Sequence, residues 1–400
     1  MHAVLTGLRV LAVEQYGAGP FGTQHLADLG AEVIKIENRK SGGDYARALG
    51  PYYVDDAEPS EASLFFQSIN RNKKSLALDL SVPEGQVLLH RLVAHSDAVA
   101  NNLRGDVPDK LGLTYEALAS ANPAIVCAHC SAFGRTGPRK DWPGYDFLMQ
   151  AETGYFHMSG EPDSPPTRMG LSIVDFMAGS YMALGLVSGV LGARATGTGC
   201  DIDVNLYDTA MSNLSYLSAW ALNSDYEPAR IARSAHASLV PCQLYRTADG
   251  WIYIMCNKEK FWQVLCAEIG RPELATDPRF VTFKERLGRR EDLTEILDDA
   301  LMTKDTGAWL EQFAGRVPAA PVRTPRQALE TARAQGDGKV QSLTTPRGGS
   351  YDVLSAPIQA SGAASADKPC SALGADTAVL LRDIGYSDSE LEDLAAKGII

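Results

Sequence analysis

The chain has 400 residues, 45% hydrophobic and 22% charged, which is enough apolar material for two or three buried cores and argues against disorder over most of its length. A formal net charge of -12 argues against a nucleic-acid surface, whose affinity rests on phosphate neutralisation, but leaves room for a local basic pocket that takes a phosphorylated small molecule. Seven scattered cysteines form no disulfide framework, and MHAVLTGLRVLAV lacks a secretory pattern, so a reducing, cytoplasmic setting is expected.

Leu8–Val13 and Ala31–Glu37 read as strands around a helix from Pro20 to about Leu29, because apolar runs bracket Phe21, His25, Leu26 and Leu29 at helical spacing. The unit repeats. SLALDLS is a strand, PEGQVLLHRLVAHS an amphipathic helix with Pro83 in its first turn, DAVANN a strand, YEALASANP a helix and AIVCAHC a strand. Such alternation predicts an α/β fold with a doubly wound parallel sheet. Cys127 and Cys130 have metal-like spacing, but no second ligand pair follows, so they read as buried strand residues and no metal is expected.

Asp175–Arg194 reads as one long uncharged helix whose glycines and serines favour close packing over a membrane span. Beyond it, PCQLYRTADGWIYIMC predicts a hairpin turning at Asp249-Gly250, followed by helices at Phe261–Ile269, Arg286–Leu301 and Ala308–Phe313. Residues 335–372 read as a meandering connection, and Ser387-x-x-Glu390 as the capping box of a terminal helix.

Gly17-x-Gly19-x-x-Gly22, with Glu37 twenty positions after Gly17, matches a dinucleotide fingerprint in letters. Its geometry fits poorly. Glu14, Gln15 and Tyr16 separate the first glycine from the strand, and Pro20 removes a backbone donor. An NAD(P)-dependent oxidoreductase is therefore an outside alternative, and tight packing of the turn is the plainer reading.

ADLGAEVIKIE, NRNKKSLALDLSVPEG, LGLTYEAL, FGRTGPRKDWPGYDFLMQAETG, MSGEPDSPP, TGTGCDIDVNLYD and HASLVPCQLYRTADGW follow one another in a fixed order. Together with LRDIGYSDSELEDLAAKGII they resemble the class III coenzyme A-transferases, the carnitine/formyl-CoA transferase family. The resemblance implies a Rossmann-like large domain over 1–205, completed by 340–400. It further implies a linker region at 206–224, a small domain of mixed α and β structure at 225–330, a return linker at 331–339, and an interlocked homodimer. It also implies the reaction. CoA passes from an acyl-CoA to a small carboxylic acid, with CoA as substrate and no permanently bound cofactor.

On that resemblance the nucleophile is Asp175, which attacks the donor thioester to give a mixed anhydride and then an aspartyl-CoA thioester. From the local sequence alone the plainer reading of Asp175 is a helix N-cap, which the collinear segments override, and a helix N-terminus would help keep its carboxylate ionised. Tyr145 stands where the related racemase branch has a histidine, and a phenol is the poorer base, so racemisation is the alternative and transfer the expectation. Gly17 and Ala18 correspond to positions beside the thioester. The nucleotide contacts carry over to Asn38, Arg39, Leu78, Asp79, Leu80, Ser81, Asn102, Leu103 and Lys110, with Arg104 and Asp146 as further candidates; ordinary surface charge is the alternative for each basic residue. The family's glycine-rich lid is replaced by CNKEKFW, which makes Asn257, Lys258 and Glu259 candidates for shaping the acceptor site.

Overall fold

A computed structural model describes residues 3–55, 62–361 and 367–400. The chain forms two compact units, one of residues 1–154, 169–223 and 336–400, the other of 155–168 and 224–335. Residues 206–223, read from the sequence as a linker, lie in the first unit, and 155–168 lie in the second.

The first unit is built on β1 (Arg9–Val13), β2 (Glu32–Glu37), β3 (Lys74–Ala77), β4 (Ala98–Asn101), β5 (Val126–Ser131) and β6 (Cys200–Asn205). They form one sheet in the order β3-β2-β1-β4-β5-β6, parallel throughout. The chain moves outward from β1 to β3, then crosses back to start again beside β1 with β4. That reversal opens a crevice at the carboxyl ends of β1 and β4, where α/β sheets gather ligands. Central strands are buried on both faces, so every residue of β4 and β5 is buried and the sequence there is near-continuously apolar. β6 is an edge strand, which accommodates Asp201 and Asp203.

The helices are α1 (Ala18–Asp28), α2 (Leu64–Asn70), α3 (Pro83–Val93), α4 (Val107–Lys110), α5 (Tyr115–Leu118), α6 (Asp146–Glu152), α7 (Tyr155–Met158, in the second unit) and α8 (Ile173–Thr196). α8 is long and apolar enough to cross a membrane, but its glycines seat it on the sheet and on α1. A Cβ at Gly185 would lie 2.8 Å from Ile202 Cγ2, one at Gly189 2.8 Å from Val126 Cγ1, and one at Gly179 2.3 Å from the Ala18 carbonyl oxygen. Helix and strand therefore approach closer than any side chain would permit.

The chain's end completes the sheet. Asp376 accepts from Ser75 N–H at 2.8 Å, Thr377 Oγ1 accepts from Ala77 N–H at 2.9 Å, and Ile399 O accepts from Asp79 N–H at 2.8 Å, so β3 is not left open at its edge. The helix Asp388–Ala396 carries the expected capping box, and Leu380, Leu381 and Leu391 join Leu11, Ile34 and Val99 in one core.

Two expectations are corrected. Val340–Thr344 and Ser350–Leu354, read as part of a meander, pair as an antiparallel hairpin that packs Leu343 and Tyr351 against Val54. The reading of 335–372 extends over residues 362–366, which lie outside the described residues. The single helix expected over Arg286–Leu301 is two, Phe283–Gly288 and Arg290–Leu301, because Arg289, at φ -133 and ψ 34, leaves the helical conformation between them.

In the second unit, Cys242–Thr247, Gly250–Met255 and Ala319–Pro321 form an antiparallel sheet. It packs on helices through Tyr245, Ile252, Trp262, Leu297 and Trp309. Arg286 is fully buried there, donating to the carbonyls of Val240 and Phe280 and pairing with Glu259 at 2.8 Å.

Candidate active site

A cleft opens at the carboxyl end of the sheet, at the β1/β4 reversal. The segments just after β1, β4, β5 and β6 contribute Tyr16, Asn102, Ala132 and Leu206 to its wall, and Asp175 comes in from the first turn of α8. Asp175 is the third residue of that helix and is 7% exposed. It does not cap the helix. Asp146 does: its Oδ2 accepts from the N–H groups of Val174 at 2.6 Å and Asp175 at 2.9 Å, while its Oδ1 accepts from Gln150 Nε2 at 2.6 Å. The Asp175 carboxylate is thereby left for the cleft.

Burial pushes the Asp175 carboxyl up to about 7, and the negative Asp146 adds to the rise. Desolvation and the like charge of Asp146 therefore oppose the ionisation that a helix N-terminus would favour. Nearby, burial pushes the Cys130 thiol up to about 12, with Asp175 contributing, so this cysteine is an inert wall residue as expected of a buried strand. No group of metal-ligating side chains occurs among the described residues.

The glycine motif finds its use here. A Cβ at Gly17 would lie 2.3 Å from Asp175 Oδ2, one at Gly19 2.8 Å from the Asn102 side chain, and one at Gly22 2.3 Å from the Gly179 carbonyl oxygen. The glycines make space for a carboxylate and a crossing helix, and an anionic pyrophosphate at Gly17 would meet Asp175. Glu37 is also engaged. Burial would raise its pKa, but Arg47, paired at 2.6 Å, holds it at about 2, and Ser75 Oγ donates to it at 2.6 Å.

Gly17, Ala18, Asn102, Leu103, Arg104, Tyr145 and Asp175 come together in this cleft. Other candidates lie elsewhere. Asp146, offered as a nucleotide contact, is instead a buried helix cap, 3% exposed. Asn38 caps the turn Arg39–Ser41, its Oδ1 accepting from Lys40 N–H at 2.9 Å, and Arg39 is exposed. Leu78 and Leu80 are buried core residues. Asp79 accepts from Ser81 N–H at 3.0 Å and pairs with Lys40 at 2.9 Å. Lys110 pairs with Asp106 at 2.5 Å on the surface, and the cleft residue Arg104 pairs with the same carboxylate at 2.5 Å. Asn257, Lys258 and Glu259 belong to the second unit, where Lys258 precedes the helix Glu259–Glu268.

Tyr16, Tyr45 and Trp142 line the cleft without having been singled out. Position just after a strand could have flagged Tyr16, by the rule that ligands gather there. Tyr45 has no such signal; it arrives by stacking on Tyr16, ring centroids 5.2 Å apart, and its phenol is raised by burial and by Tyr16, Tyr145, Asp44 and Asp175.

A parallel sheet in this order, with a buried carboxylate at its reversal point, defines an α/β enzyme whose acid group faces a ligand crevice. The chain belongs to CoA-transferase family III, whose family profile matches residues 5–377. It is 38% identical over 320 residues to the acetyl-CoA:oxalate CoA-transferase of Acetobacter aceti, covering 79% of this chain and 80% of that one. It is 32% identical over 399 residues to the succinyl-CoA:glutarate CoA-transferase of Mus musculus, covering 99% and 90%. The crystal structure of a CAIB/BAIF family protein from Brucella suis superposes with a TM-score of 0.80 at 32% identity, over 96% of this chain and 100% of that one.

Proposed function

We propose that this transferase moves CoA from an acyl-CoA to a small dicarboxylic acid through covalent catalysis at Asp175. The observation that carries the reading is a carboxylate buried at the reversal point of the sheet with a glycine where its neighbour's side chain would be. An Asp175 oxygen adds to the donor thioester carbonyl, and the C–S bond breaks to release CoA thiolate and an aspartyl-acyl anhydride. The thiolate attacks the aspartyl carbonyl, expels the donor carboxylate and leaves an aspartyl-CoA thioester. The acceptor carboxylate then repeats these steps in reverse, and the carboxylate of Asp175 is regenerated.

The cleft of about 210 Å³ supports entry of the thioester end and a short acyl chain, with the nucleotide outside it along the carboxyl edge of the sheet. Arg39, Lys40 and Lys110 are the cations proposed for its phosphates there, Lys40 and Lys110 each already paired with an aspartate, while Arg104 lines the cleft itself. The acids named for the relatives motivate a dicarboxylate acceptor, with Arg104 on its second carboxylate. Tyr145, standing where the racemase branch has a histidine, lines the cleft, and a phenol in place of an imidazole supports transfer rather than α-proton removal. Homodimerisation, implied by the family resemblance, is supported by Leu184, Leu191 and Leu222, which are 66%, 66% and 83% exposed on helices of the first unit.

Replacing Asp175 with Asn is expected to lower exchange between succinyl-CoA and glutarate or oxalate by at least about 10³-fold and to abolish the hydroxylamine-trappable acyl-enzyme. Exchange at the wild-type rate would overturn the nucleophile. Equal turnover of matched monocarboxylates would overturn the dicarboxylate preference.

A further inference from the structure

The loop between β1 and α1 has its backbone held by side chains from three other places on the sheet's carboxyl edge. Glu14 O accepts from Lys35 Nζ, on β2, at 3.0 Å. Gln15 N–H donates to Asn102 Oδ1 at 2.9 Å, and Gln15 O accepts from Asn102 Nδ2 at 2.7 Å, so the amide past the end of β4 pairs with Gln15 as a neighbouring strand would. Tyr16 N–H donates to the Asp44 carboxylate at 3.1 and 3.3 Å.

The clamp is itself fixed. Lys35 and Asp44 pair at 2.9 Å, and Lys73 reaches the Glu14 carboxylate at 2.8 Å and Pro20 O at 2.9 Å, all four residues being at most 5% exposed. Buried ion pairs of this kind return little net stability, because desolvation offsets their attraction, so what they supply is geometry. The geometry is demanding: Tyr16 sits at φ 67, a region a tyrosine rarely adopts, between the rings of Tyr45 and Phe65. The next residue is Gly17, against Asp175 Oδ2.

We propose that Asn102, backed by Lys35 and Asp44, is a positioning residue for the transfer: it sets the Gln15–Gly17 backbone against the Asp175 carboxylate instead of contacting the nucleotide. The amide has little freedom for another task, since it is wedged under the start of α1, where a Cβ at Gly19 would lie within 3.0 Å of it. The proposal rests on Asp175 being the nucleophile.

The test compares wild type, Asn102→Ala and Asp175→Asn, measuring succinyl-CoA exchange kinetics and the Kd of CoA by calorimetry. A misplaced loop loses alignment in the reacting state, so Asn102→Ala is expected to lower kcat about 10²-fold. The KM for acyl-CoA and the Kd for CoA should stay within about threefold of wild type, as for a residue that contributes no ground-state binding. A raised Kd and KM with kcat preserved would make Asn102 a nucleotide contact and overturn the proposal, as would unchanged kinetics. Should Asn102→Ala fail to fold by circular dichroism, Asn102→Asp keeps the acceptor for Gln15 N–H, sets an oxygen against Gln15 O, and is expected to give the same split. Exchange retained by Asp175→Asn would remove the nucleophile itself, whatever position 102 does.

Discussion

The nucleophilic role proposed for Asp175 sets two opposing demands, since a nucleophile must be ionised while burial and the charge of Asp146 push its pKa up to about 7. The ionised fraction therefore falls as pH drops below that value, and kcat/KM is expected to fall about tenfold per pH unit on the acid side. Asp146→Asn removes a negative neighbour and keeps an acceptor for the helix N–H groups, so it should move this acid limb to lower pH. A pH-rate profile checks both expectations; a limb that stays in place, or moves upward, would show that Asp146 does not tune the nucleophile. Asp175 stood out as a candidate nucleophile from its place at the start of a small-residue helix within a recognisable family pattern. Its protonation was not legible, because the dominant causes are burial and a carboxylate 29 residues away in sequence that folds back onto the same helix turn.

Between elements, α1 and α8 cross closely, and the approach depends on glycine on both helices, Gly22 and Gly179. Gly179→Ala would place a Cβ 2.3 Å from the Ala18 carbonyl oxygen, a backbone atom that cannot turn aside. It is expected to cost about 1–3 kcal/mol in denaturant unfolding. Gly17→Ala differs, because the atom in the way, 2.3 Å from the new Cβ, is a carboxylate oxygen that can rotate. That variant should keep its unfolding midpoint and lose turnover; the reverse pattern, stable activity with a lowered midpoint, would contradict the role given to Gly17. A dinucleotide fingerprint and a helix crossing share the same letters, and the close approaches at Gly17, Gly19 and Gly22 match the tight-packing reading of the motif.

At the scale of the whole molecule, each unit closes its own core, and the large unit is finished only when residues from the chain's end cover β3. The exposed leucines on its helices lead to the expectation that the 43.0 kDa chain is a dimer of about 86 kDa in solution. Light scattering at micromolar concentration checks this, and a mass of one chain would remove the dimer.

Alternating apolar and amphipathic runs determined the βαβ units, because burial on both faces writes a near-continuous hydrophobic strand and burial on one face writes a helical period. Collinear motifs determined the family and singled out the carboxylate proposed to react. The tertiary structure alone decided that Asp146 caps α8, that Asn102 holds Gln15, and that Tyr45 reaches the cleft. Each of these is a contact between residues far apart in the chain, made by a single polar or aromatic side chain. No periodicity encodes such a contact, and only the crossing of α1, α8 and the sheet edge brings the partners within reach.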